Sequence, residues 1–208
     1  MNGRTLTLGL VGALAVAGAV RRRGSAATAG HLDPEGARYD KRLAMLARDQ
    51  IKARGVSVPA PTTELGTGGD ARVFNTTRKG IVVRVGRGRS VEKQSLLLDE
   101  DFEGGVVPVL AMTEIDGHVV SWKERVDTDV EGFLTRAYGG HDDARFREIV
   151  RALVGLYHTS GANLAILSRY PETKGLARAI HRGLPTDDID LTINLGVTKD
   201  GRVVAYDL

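Results

Sequence analysis

The sequence predicts an α+β protein in two lobes: a small antiparallel sheet lobe and then a helical lobe, with an N-terminal apolar helix ahead of both. Three observations predict it. A glycine-rich stretch, LGTGGDARVF from Leu65 to Phe74, lies between segments of strand character. Strand-like runs fill the chain to about residue 126 and helical periodicity dominates after it, the order of segregated layers. Phe146, Ile149, Val150, Leu153 and Tyr157 fall at i, i+3, i+4, i+7 and i+11, a buried stripe along one helix. By these marks 1–30 is an apolar leader and linker, 31–126 a sheet lobe with a preceding helix, and 127–208 the helical lobe.

Composition narrows the function classes. The 208 residues are 42% hydrophobic and 26% charged, values of a soluble globular chain with ample core. Aromatics at 5% argue against a base-stacking single-strand binder. A net charge of +3 suits a nucleotide or phosphorylated partner and is too small to point to nucleic acid, which is not an expected partner. The absence of cysteine removes disulfides, thiol nucleophiles and Cys-based zinc sites. His31, His118, His141, His158 and His181 show no metal-ligand spacing.

In chain order, Thr5 to Val20 is uncharged and apolar, and Arg21, Arg22 and Arg23 follow it. At ~1.5 Å rise this run reaches about 24 Å, short of a ~30 Å hydrocarbon core. Signal peptides carry their charge before the apolar run, although Ala27-Thr28-Ala29 offers a cleavage site. The expectation is an anchor or docking helix, with a cleaved signal as the alternative. Membrane contact then runs through residues 5–23 of a chain that is otherwise cytoplasmic, with the arginines on the cytoplasmic side. This leader resembles the N-termini of bacteriophage and metagenomic proteins.

Asp33 as cap and Pro34 in the first turn predict a helix over Ala37–Arg54, with Leu43, Met45, Leu46 and Ile51 inward and Gly55 ending it. Residues 56–65 are extended, limited to a sheet edge by Pro59 and Pro61. Strands follow at Asp70–Thr76 and Gly80–Val85, then a helix at Ser90–Asp99. Val106–Ile115 and His118–Trp122 are strands joined by an Asp116-Gly117 turn. Helices are expected near Val130–Ala137, at Asp142–His158 with Gly161 breaking the pattern, and at Glu172–His181. Leu195–Thr198 and Arg202–Tyr206 form a hairpin across Lys199-Asp200-Gly201.

Three places carry chemistry. The glycine stretch reads Gly-x-Gly-x-x-Ala-x-Val, with Gly66, Gly68, Ala71 and Val73 at the marked places and Thr67 and Gly69 between. Without side chains at its tip, such a hairpin brings backbone N–H groups close to phosphate oxygens, and Val73 covers a flat base. No Gly-Lys-Ser/Thr occurs in the chain, which excludes a Walker loop. In IVVRV, strand alternation puts Val82 and Arg84 on one face. Asn194 precedes the final hairpin and Asp207 follows it, so an amide oxygen and a carboxylate return to one end. Hard oxygen donors of that kind seat Mg²⁺.

Glycine loop, strand cation, the WKERV stretch Trp122–Val126 and the Asp…Asn-x-Gly…Asp-Gly-Arg…Asp ending, in this order over about residues 60–208, resemble the protein-kinase-like superfamily. The branch most similar at the ending includes bacterial and phage kinase-like proteins and small-molecule phosphotransferases. The resemblance implies a two-lobed protein-kinase-like fold with a reduced helical lobe, and ATP with Mg²⁺ as cofactors. The activity it implies is phosphoryl transfer to an unspecified acceptor, a protein or small-molecule hydroxyl. It implies that Gly66, Thr67, Gly68, Gly69, Ala71, Val73 and Val82 enclose the nucleotide. Arg84, partnered by Glu92, holds phosphate where kinases use lysine. WKERV becomes a hinge in which the Glu124 carbonyl and the Val126 amide meet the adenine edge. Asn194 and Asp207 hold the metal, and Asp188 or Asp190 orients the acceptor hydroxyl.

The chain departs from the pattern in four ways. Arginine replaces the lysine. Kinases leave four residues between the catalytic-loop Asp and the Asn, whereas Asp188 leaves five and Asp190 three. The usual histidine or tyrosine two places before that Asp is absent. The sequence stops one residue after Asp207, which reads either as a truncated reading frame or as a reduced kinase-like module. These departures keep two alternatives open: a catalytically inactive nucleotide-binding module, and a membrane- or virion-associated scaffold organised by residues 5–23.

Overall fold

The computed structural model describes residues 34–67, 71–87, 98, 102–158, 161–186, 189 and 194–206, all within the unit Pro34–Leu208. The apolar helix expected over 5–20, the helix over 90–99 apart from Leu98, and Gly68, Gly69, Glu92, Asp188, Asp190 and Asp207 lie outside the described residues. Among the described residues no helix is long and apolar enough to cross a membrane.

Helix α1, Pro34–Ala53, begins on a proline whose fixed φ suits a first helical turn. It ends ahead of Gly55, at φ +85°, a conformation that glycine adopts without strain. Its inner face is Leu43, Ala44, Ala47 and Ile51, packed on Phe74, Val83, Val85, Val120 and Trp122. Met45 and Leu46, expected inside, are 36% and 43% exposed. The small Ala44 and Ala47 take the seam instead, because they let the helix backbone approach the sheet.

Five antiparallel strands follow: β1 Pro61–Thr67, β2 Ala71–Thr76, β3 Ile81–Arg87, β4 Val109–Ile115 and β5 His118–Glu124, in the order β1-β2-β3-β5-β4. Pro61 stands in an edge strand, where a missing N–H costs no ladder bond. Asp116 at φ +49° and Gly117 at φ +70° give the β4–β5 turn its two left-handed residues. Strand β4 starts at Val109 rather than the expected Val106. Pro108 cannot donate, and its carbonyl takes the Glu124 amide at 2.9 Å. The indole of Trp122, fully buried, donates to the Pro59 carbonyl at 2.9 Å, so the largest core side chain leaves no polar atom unpaired.

The second core gathers helices α2 Val130–Tyr138, α3 Ala144–Val154, α4 Gly161–Leu167 and α5 Lys174–His181 around strands β6 Leu195–Val197 and β7 Val203–Ala205. Asp129 caps α2 through Gly132 N, and Asp143 caps α3 through Arg145 N and Phe146 N. Phe146, Ile149 and Leu153 are fully buried, as the stripe predicts, and Val150 is half-buried.

Two helix boundaries differ from expectation. The helix expected to reach His158 stops at Val154, where Asn163 donates its side-chain amide to the Gly155 carbonyl at 3.1 Å and satisfies an orphan helix end. A 3₁₀ turn over Gly155–His158 follows, and Gly161 opens α4 instead of breaking a helix. Glu172, expected in the last helix, precedes it; its carbonyl accepts from Val203 N at 2.8 Å and is committed to the hairpin.

Candidate functional site

Alternation along β3 and β5 divides the sheet. Val83, Val85, Val120 and Trp122 face α1, which leaves Val82, Arg84, Ser121 and Lys123 on the other side. In the ladder Val82 stands opposite Lys123, and Arg84 opposite Ser121. Arg84 and Lys123 are 5% and 4% exposed. Both line a cleft of about 380 Å³, a size that encloses a small ligand.

Leu65 and Gly66 of β1 and Val73 of β2 form one rim of the cleft, with Val82 beside them. Glu124, Arg125, Val126 and Thr128 line it too, with Val107 and Tyr206. Of the residues expected to hold a nucleotide, Gly66, Val73, Val82, Arg84, Glu124 and Val126 therefore lie on one cavity. Thr67 and Ala71 end their strands beside it without lining it: Thr67 donates to Glu64 Oε1 at 2.6 Å, and Ala71 pairs with Gly86.

The 124–127 stretch is bound on both sides. Glu124 N donates to Pro108 O and Arg125 N to Gly80 O, each at 2.9 Å. Asp127 N donates to Val197 O at 2.9 Å, and Val197 N to Asp127 O at 2.7 Å. Between these anchors the Val126 amide has no acceptor among the described residues. The Glu124 carboxylate accepts from Lys199 N at 3.1 Å, which ties this stretch to the β6–β7 turn. Gly196 on β6 packs against Val126 so tightly that a Cβ there would overlap its side chain.

At the open end of the hairpin, Tyr206 N donates to Asn194 O at 2.9 Å, with Asn194 in the left-handed region at φ +63°. Asn194 is thus held against Tyr206, the residue before Asp207. Donors of this chemistry fit Mg²⁺. Among the described residues no three His, Asp or Glu side chains cluster as a metal site. Asp188 and Asp190 flank Ile189, which is buried in the second core and whose amide donates to Thr186 O at 3.0 Å.

The glycine hairpin has a support of its own behind the cleft. Arg72 on β2 donates to Asp40 of α1 at 3.1 Å and to Glu64 of β1 at 2.9 Å. Burial works against the Arg72 charge, but the hydrogen bonds and charges of Glu64 and Asp40 outweigh it and raise its pKa above the ordinary value.

Solved protein-kinase domains are similar to this chain. A double mutant of the Mycobacterium tuberculosis PknI kinase domain matches at 16% identity over 72% of this chain and 59% of that domain, with a TM-score of 0.39. The PknI kinase domain itself matches at 15% identity over 72% of this chain and 58% of that domain, also with a TM-score of 0.39. The chain thus spans less than two thirds of the kinase domains it matches. No protein-family model and no curated protein matches the sequence.

Lys123, Val107, Thr128 and Tyr206 line the cleft without having been singled out in the sequence. For Lys123 a signal existed. In His118–Glu124 the alternation that sends Trp122 into the core sends Lys123 to the face of Val82, and burial on both faces makes a lysine there conspicuous.

Proposed function

We propose that the chain binds ATP with Mg²⁺ in this cleft and transfers the γ-phosphoryl group to a hydroxyl of a protein or small molecule, as a protein-kinase-like module. The observation that carries the reading is the one cavity lined by Gly66, Val73, Val82, Arg84, Glu124 and Val126. Val73 and Val82 offer apolar cover for a base, and the Val126 amide supplies a donor at the rim. Arg84 grips phosphate with a planar guanidinium fork. Asn194 and Asp207 would hold the metal, which when bound neutralises phosphate charge. Asp188 or Asp190 accepts the acceptor's hydroxyl proton as its oxygen bonds to the γ-phosphorus and the bond to ADP breaks. Catalysis is then positioning and charge neutralisation.

The test is a thermal titration of the full chain. ATP with Mg²⁺ raises the midpoint of the wild type, and Asp207→Ala removes the metal-dependent part of the rise. A wild type that does not respond to ATP discards the reading.

Arg84 favours a second reading, a module that binds nucleotide without turnover. The guanidinium is wider than the ammonium it replaces, and the Asp–Asn spacing is irregular. Transfer of radiolabel from ATP to a protein or aminoglycoside acceptor separates the two: any enzyme-dependent transfer removes the second. Membrane contact through residues 5–23 is a separate proposal, tested by fractionating the full chain against one that starts at Gly24.

A further inference from the structure

We propose that Lys123 is a positioning residue: its ammonium holds the Tyr206 carbonyl and thereby fixes the metal-binding end of the tail hairpin against the sheet. This rests on the nucleotide reading of the cleft.

Lys123 Nζ donates to Tyr206 O at 2.8 Å, across 83 positions of sequence. Tyr206 N is already committed to Asn194 O at 2.9 Å. Both backbone polar groups of Tyr206 are therefore held, one by its own hairpin and one by β5. Tyr206 is thereby tied at once to β5 and to Asn194. Lys123 stands opposite Val82 in the ladder and is buried, where an ammonium is costly unless hydrogen-bonded.

Other links run the same way. Glu124 holds the Lys199 amide at the turn, and Asp127 and Val197 exchange two hydrogen bonds midway. The hairpin is stitched to residues 123–127 at its turn, along β6 and at its open end, and Lys123 makes the stitch nearest Asn194. Groups that orient metal ligands from behind typically change metal affinity by about 10- to 100-fold when removed.

The experiment is calorimetric titration of ATP into the full chain with Mg²⁺ and with EDTA, for wild type, Lys123→Met and Lys123→Arg. The quantity read is the gain in affinity that Mg²⁺ confers. Lys123→Met is expected to cut that gain about tenfold or more, while Lys123→Arg, which keeps a charged donor, retains most of it. Hydrogen exchange over residues 195–206 is expected to quicken in Lys123→Met and to leave residues 81–85 unchanged. A Met variant with the wild-type gain overturns the proposal, and so does one that loses affinity equally with and without Mg²⁺. If the Met variant does not fold, the Arg variant decides: loss of the gain there overturns the proposal. A wild type that binds no nucleotide in either condition removes the nucleotide reading and this inference with it; wild-type binding beside an unaltered Met variant removes this inference alone.

Discussion

The Arg72 guanidinium donates to Asp40 at 3.1 Å with both side chains buried, joining α1 to the second strand of the glycine hairpin. The same guanidinium reaches Glu64, so one cation fixes both strands of the hairpin to the helix behind it. Removing a single partner from a buried pair takes that compensation from the charge that stays. Arg72→Met is expected to destabilise the fold by about 3–5 kcal/mol, and Arg72→Met with Asp40→Leu by much less, because no buried charge then remains. Urea denaturation of the two variants tests this; equal losses would show that the pair adds nothing beyond packing.

Gly196 and Val126 provide a packing test. Alanine at Gly196 would press its Cβ into the Val126 side chain, an overpacking cost of about 1–3 kcal/mol. Val126→Ala in the same chain is expected to recover only part of that loss, because it removes the nearest methyl but leaves a Cβ 2.7 Å from the new one. Gly175→Ala should be worse than Gly196→Ala and should have no side-chain remedy, because its Cβ would meet the backbone of Gly104. Thermal unfolding of the three variants beside the wild type ranks them.

Asp143 supplies a pH dependence. The Arg145 side chain, then the amides of Arg145 and Phe146, hold its carboxyl at about 2, below the ordinary 3.8. A depressed carboxylate stabilises the native state above its unfolded pKa and loses that contribution as pH falls through the native one. Wild type should therefore lose stability relative to Asp143→Asn as pH drops from 3.8 towards about 2. At neutral pH the wild type should be the more stable of the two. Parallel melting curves at both ends would contradict the pairing.

Arg84 tests the anion side of the cleft. If its guanidinium faces phosphate, Arg84→Met weakens ATP about tenfold or more and leaves adenosine unaffected, since the loss of one charge-assisted bond is on the order of 1.5–3 kcal/mol. Equal weakening of both ligands, read by calorimetry, would assign Arg84 to the fold instead.

Much of the local structure was legible. Pro34 and Gly55 bracket α1; Asp116-Gly117 and Asp200-Gly201 mark the turns; Val82 and Arg84 share a face by alternation. These are consequences of backbone sterics and side-chain period acting within a few residues. The inner face of α1 was not legible, because Ala44 and Ala47 replace Met45 and Leu46 only where the helix lies close to a sheet formed later in the chain. Gly161 opened a helix, because Asn163 supplies the end of the preceding one.

By itself the sequence determined the two-part order of strands and helices, the glycine hairpin, the stripe from Phe146 to Leu153 and the closing hairpin. Only the tertiary structure decided that Gly66, Val82, Arg84 and Val126 border one cavity and that Lys123 meets Tyr206. The reason is physical: periodicity is a local property of the backbone, whereas the meeting of side chains 83 positions apart depends on how strands pair and cores pack.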